Sequence, residues 1–289
     1  MKDNTQYVVV GRDTQDYHID DVRTKKPLAF KNNDGSMILQ EVDEIKFRNK
    51  YEGEKNILSY YSPNNVGILL SIAYKSKEEA KKIFNEYFNP EKFDHRLRKK
   101  EGQPDKIIKE DSRLVYDYIE LIQISLVFGY TAIETFVNLS IPDDYVYIKK
   151  VKNRGTEEHF DKKAIERWIS LRDKLSLILP DIYETPPFKR GKLWNDFIRF
   201  ENFRDDIIHQ KAISETEFYK TYFKSNFFNN FNVPEDIMKF FFEKRKDKNS
   251  TNPLWPWVIN SRNDFPISYD FKPNQFEVTG NLFEGKYKE

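Results

Sequence analysis

Residues 119–139 form the most hydrophobic segment of the chain, yet Glu120, Gln123 and Glu134 interrupt it. Apolar residues recur there at the helical period, and Glu120, Gln123, Thr131, Glu134 and Asn138 fall on one narrow stripe. The spacing predicts a long helix over about residues 111–139, stopping before Pro142. A membrane span would have to hide two carboxylates in hydrocarbon, which is costly. The pattern therefore predicts a core helix of a soluble bundle, buried against several neighbours and with no membrane as partner.

The pattern stays helical downstream. Residues 161–179 read as a second helix with Ala164, Ile165, Trp168, Leu171 and Leu175 on its inner face, ending at Pro180. A loop through Pro186-Pro187 and Gly191 leads to a third helix over residues 193–212. Ser214-Glu215-Thr216-Glu217 is a capping-box pattern that opens a fourth, and Pro234 opens a short fifth through Ile237, Phe240 and Phe241. Upstream, residues 1–75 read as β-rich. Tyr7-Val8-Val9-Val10 is a β-branched run, and Leu28-Ala29-Phe30 and Met37-Ile38-Leu39 flank the hairpin signal Asn33-Asp34-Gly35. Residues 57–61 and 66–74 read as further strands. Ser76-Lys77-Glu78-Glu79 then reads as the capping box of a helix that ends before Pro90. The expected fold class is α+β overall: mainly an α-helical bundle preceded by a small β-rich α+β module. The expected boundaries are 1–92 for the module, 105–246 for the bundle, and 247–289 for an irregular extension. Trp255-Pro256-Trp257 would anchor that extension to the body, with one or two closing strands.

Net charge is +1 over 289 residues, so any nucleic-acid contact must rest on local patches. Two basic stretches qualify: Arg96, Arg98, Lys99 and Lys100, and Lys149, Lys150, Lys152 and Arg154. Each either tracks a phosphate backbone or is solvated surface. There is no cysteine, which removes disulfides and thiolate metal sites and fits a cytoplasmic location. The N-terminus lacks the basic-then-apolar order of a secretory signal. His18, His95 and His159 lie in polar contexts and read as surface residues; no metal-ligand spacing is present.

The third helix carries an anomaly. On a wheel at about 100° per residue, Leu193, Phe197, Phe200, Phe203, Ile207 and Ile208 form an apolar arc, and Arg204 falls near its centre. Arginine does not give up its proton, so burying it without a partner costs several kcal/mol. Either it is a core-edge arginine tied to Glu134 or Glu201, or it meets an anion or another subunit. Asp205 and His209 share a face four residues apart, where the carboxylate would fix the imidazole tautomer. Arg204 and His209 differ in direction by about 140°, so two copies around a two-fold axis could aim both pairs at one cleft.

Arg204-Asp205-x-x-x-His209 resembles the R-polar-x-x-x-H signature of the HEPN superfamily, and the helix bearing Ala132 to Asn138 resembles that family's early long helix. The resemblance covers roughly residues 105–246. It implies a metal-independent endoribonuclease, a toxin or anti-phage defence effector, that needs no cofactor. It also implies a homodimer with a shared active-site cleft, RNA as substrate, and an antitoxin or regulatory protein as a further partner. Arg204, His209 and Asp205 would match the family's catalytic motif, with Glu134, Asn138 and Glu201 in support. RNA carries its own nucleophile, the 2′-OH beside the scissile phosphate. Histidine can move the proton, and a guanidinium can hold the charged oxygens. The expectation is that His209 is the acid/base, Arg204 stabilises the phosphorane-like charge, and Asp205 orients His209. A non-catalytic nucleotide- or protein-binding dimerisation module of the same family is the alternative. The N-terminal module would set the target, the partner or the trigger.

Overall fold

A computed structural model of the chain describes residues 6–11, 21, 23–25, 28–32, 35–48, 55–93, 104–150, 156–210, 216–245, 276–281 and 286–287. The chain divides into two compact units, Met1–Ile68 with Arg245–Glu289, and Leu69–Lys244. The chain is α+β and mainly helical.

The first unit holds a mixed sheet. Strands β1 (Gln6–Gly11), β2 (Leu28–Asn32), β3 (Gly35–Arg48) and β4 (Lys55–Tyr61) come from the N-terminal part. Strands β7 (Phe276–Asn281) and β8 (Lys286–Tyr287) come from the C-terminal part. Asn32 pairs with Gly35, so β2 and β3 form the hairpin expected around Asn33-Asp34-Gly35. The long β3 serves several neighbours in turn. Its start pairs with β2, its middle with β1, and Val42 to Arg48 with β4. Strand β7 lies parallel to β1 and antiparallel to β8. Backbone pairing along β1 therefore draws β7 and β8, closing strands of the kind expected within residues 247–289, into the first unit. Trp255 and Trp257 lie outside the described residues.

Helix α1 (Asn65–Ile83) runs on into a π-helical turn at Phe84–Phe88. The expected strand over residues 66–74 is thus the first half of a helix. Asn64 decides it locally, because its Oδ1 accepts from the Val66 N–H at 3.0 Å and satisfies a donor that a new helix leaves orphaned. The apolar residues then fall at helical spacing: Val66, Leu69, Leu70, Ala73, Ala80 and Phe84 are all buried. Ser76 sits inside this helix rather than at its start, and the division between the two compact units falls at Ile68/Leu69.

Helix α2 (Pro104–Ser140) is the spine of the second unit and starts earlier than its periodicity suggested, with Pro104 in the first turn. It is long and apolar enough to pass for a membrane span by length and composition alone. Here Tyr118, Ile122, Leu126, Ile133, Phe136 and Val137 are fully buried core residues. A hairpin of β5 (Tyr147–Lys150) and β6 (Glu157–Phe160) follows. The expected second helix is broken in two. Helix α3 (Lys162–Trp168) is capped by Asp161, whose Oδ1 accepts from the Ala164 N–H at 2.8 Å. Ser170 then leaves the helical conformation and caps a new start, its Oγ accepting from the Asp173 N–H at 3.1 Å. From there helix α4 covers residues 171–182, with the π-helical stretch Lys174–Ile178 inside it.

Helix α5 (Lys192–Ile208) packs against α2 and against α7 (Val233–Lys244); between them lie the short α6 (Glu217–Thr221) and a 3-10 stretch, Ser225–Asn232. The contact is close at Gly129. A Cβ there would stand 3.1 Å from Phe200 Cζ and 3.2 Å from Pro234 Cγ, so glycine lets α5 and α7 approach the spine together. Tyr222, Phe227 and Phe241 are core residues. Fully burying a large apolar side chain contributes about 1.5–3 kcal/mol.

Candidate active site

The site lies where α5 crosses α2 and α4, and a buried acid organises it. Glu201 on α5 is 7% exposed. Its Oε1 accepts from the Tyr130 hydroxyl of α2 at 3.1 Å, and its Oε2 accepts from Arg172 Nε of α4. Both oxygens are thus satisfied by donors from two other helices, which is what a buried carboxylate requires. The Tyr130 hydroxyl is held above its ordinary range by burial first, then by the charge and hydrogen bond of Glu201, with Arg204 opposing. Arg172 is held more firmly protonated by its bond to Glu201.

Arg204 sits one turn after Glu201. Its guanidinium lies over the Tyr130 ring, 4.6 Å from the centroid, a cation–π geometry. Its Nη1 donates to Asp205 Oδ1 at 2.9 Å, and its side chain stays 26% exposed. The guanidinium is therefore neither sealed nor bound to the internal acid. The possible pairing of Glu201 with Arg204 is replaced by the pairing of Glu201 with Arg172. Asp205 also differs from expectation. Its carboxylate meets Arg204, not the imidazole of His209; only its backbone carbonyl accepts from the His209 N–H, at 2.9 Å. The adjacent guanidinium offers this carboxylate a charge-assisted bond.

His209 is the residue that ends α5, and it is exposed. Among the described residues its imidazole has no hydrogen-bond partner. Five residues separate it from Arg204, which is about 7.5 Å along the helix axis.

Asn138 of α2 meets α4 rather than Arg204, and the charge of Glu134 acts on both Lys174 and Tyr130. Lys174, 2% exposed, donates from Nζ to Asn138 Oδ1 at 2.9 Å and to the Glu166 carbonyl at 3.1 Å. Burial lowers its pKa, and the charges of Glu134 and Glu166 oppose that shift. Glu134 itself is exposed. Sequence reasoning missed Tyr130, Arg172 and Lys174. The one available signal was Ser170-x-x-Asp173, a cap that restarts the helix so that Arg172 reaches Glu201 and Lys174 reaches Asn138.

Of the basic stretches, Lys149 and Lys150 are exposed on β5, directly opposite Glu158 and Glu157 of β6. Those glutamates weaken any positive potential the lysines would offer a nucleic acid. Arg96, Arg98, Lys99, Lys100, Lys152 and Arg154 lie outside the described residues. Among the described residues no group of His, Asp and Glu is placed to hold a metal ion. No protein-family model, curated protein or solved structure matches the chain.

Proposed function

We propose that the helical unit is a metal-independent endoribonuclease of HEPN type, acting in the cytoplasm as a toxin or anti-phage effector. The observation that carries this reading is the state of the motif pair. Arg204 is held in place by Tyr130 and Asp205 yet open to water, and His209 stands exposed and unpartnered among the described residues at the end of the same helix. In this reading a phosphodiester lies between them. His209 takes the proton from the 2′-OH, the 2′-oxygen bonds to phosphorus, and the phosphorus–5′-oxygen bond breaks, with a proton returned to the leaving 5′-oxygen. Arg204 carries the charge that builds on the phosphoryl oxygens. The role of Asp205 becomes that of steadying Arg204. A homodimer would bring two such pairs to one cleft, and an antitoxin would be the natural partner of a constitutive activity.

A second reading rests on the Arg204–Asp205 pair. A guanidinium already partnered by a carboxylate also suits a non-catalytic module that binds a nucleotide or a protein. Expression in a bacterial host separates the two. The nuclease reading expects growth arrest by the wild type, relieved by Arg204→Ala and by His209→Ala. Equal growth of all three, each folded by circular dichroism, favours the binding module, and a monomer by light scattering removes the shared cleft.

A further inference from the structure

The motif contains one arginine; the fold places a second beside the same tyrosine–glutamate pair. Arg172 enters the site only because Ser170 breaks the helix and restarts it. Its Nε is taken by Glu201, yet its side chain remains 48% exposed. Among the described residues its two Nη groups have no partner. Arg204 is fixed in the same manner at one end, by Nη1 on Asp205 and by its face on Tyr130. Its Nε and Nη2 have no partner among the described residues. Each guanidinium is thus oriented through part of its fork and keeps free N–H groups. Tyr130 links them, carrying Arg204 on its ring and Glu201, the anchor of Arg172, on its hydroxyl.

Planar forks with free donors match the spacing of oxygens on a phosphoryl group. Orientation in advance by a buried acid removes much of the entropy that a mobile surface arginine would lose on binding. The anchoring carboxylate does little to repel an anion, because both its oxygens are already occupied by donors. We infer that Arg172 and Arg204 form a two-arginine cradle for a backbone phosphate, with Arg172 as an anion-binding residue outside the sequence motif. That the anion is an RNA phosphodiester rests on the nuclease reading above; the cradle itself rests on the geometry.

The test uses the full chain and a fluorescent single-stranded 2′-O-methyl oligoribonucleotide, which keeps the phosphates but lacks the attacking hydroxyl. Anisotropy gives affinity as a function of salt for the wild type, Arg172→Gln, and Arg172→Gln/Glu201→Gln. The double variant removes the buried charge that the single one would strand, and it carries the test should the single variant misfold. The expected result is an affinity loss of about tenfold or more. The slope of log affinity against log salt should also fall by about 0.7, one single-strand phosphate contact. Wild-type affinity and slope in a folded Arg172 variant, or no binding by the wild type, overturns the cradle. Arg172-dependent binding without cleavage of ordinary RNA upholds the cradle and removes the nuclease. Cleavage with Arg172-independent binding does the reverse.

Discussion

Replacing Tyr130 by phenylalanine removes one oxygen from the centre of the site and leaves the ring under Arg204. The hydroxyl donates to Glu201 Oε1 at 3.1 Å, and the acid is 7% exposed, so water cannot readily take its place. Hydrogen bonds to charged groups contribute about 1.5–3 kcal/mol, and Glu201 keeps its bond to Arg172, so the loss should be about 2 kcal/mol. For a unit the size of Leu69–Lys244, each kcal/mol moves the midpoint by about 2–4 °C, giving a fall of about 4–8 °C. Differential scanning calorimetry, with helical circular dichroism to assign the transition, measures it. The same change in a Glu201→Gln background should cost less, since a neutral acceptor forms a weaker bond, leaving a coupling of about 1 kcal/mol between the two positions. A midpoint within about 1 °C of wild type, or strict additivity of the two changes, would refute the claim that this bond organises the site.

Gly129→Ala gains about 1 kcal/mol of helix propensity. Its new methyl meets Phe200 and Pro234 at 3.1 and 3.2 Å, an overpacking cost of about 1–3 kcal/mol, so the urea midpoint should fall slightly for alanine and steeply for valine. Burial holds Tyr118, Tyr130 and Tyr222 above the usual 10.0, so the folded state keeps protons that the unfolded chain releases. Stability should therefore decline as pH rises past 10, by about 1.4 kcal/mol per pH unit and tyrosine; a folded protein that gains as much tyrosinate absorbance near pH 10 as the unfolded chain would contradict this. Lys174 has the opposite sign, because its folded pKa lies below 10.5 and the unfolded chain binds more protons in that window. The stability of Lys174→Met relative to wild type should consequently fall as pH approaches 10.5, and a pH-independent difference would count against a buried amine.

The long helices and the first hairpin were legible because their signals are local and repeated, as in the apolar stripe of α2 and the Asn33-Asp34-Gly35 turn. Residues 66–74 were not. A continuous apolar run with β-branched members fits strand or helix equally, and the Asn64 cap with burial of Val66, Leu69 and Leu70 settles it. The break at Ser170 was hidden inside a segment whose periodicity reads as one helix. The π stretch that buries Lys174 against α2 is likewise a product of tertiary contact. For the site, spacing within one helix was enough to single out Arg204 and His209. Tyr130 joins Arg204, and Arg172 joins Glu201, across helices, a relation that no spacing along the chain encodes. Asp205 had two basic neighbours within reach, and its carboxylate bonds to the adjacent guanidinium.

Product analysis provides the most direct test. The purified 289-residue chain is incubated with single-stranded RNA in the presence of a metal chelator, and the new termini are read by mass spectrometry. The account predicts 2′,3′-cyclic phosphate and 5′-hydroxyl ends from the wild type and none from Arg204→Ala or His209→Ala. Intact RNA with folded wild type, or equal cleavage by the His209→Ala chain, would contradict it.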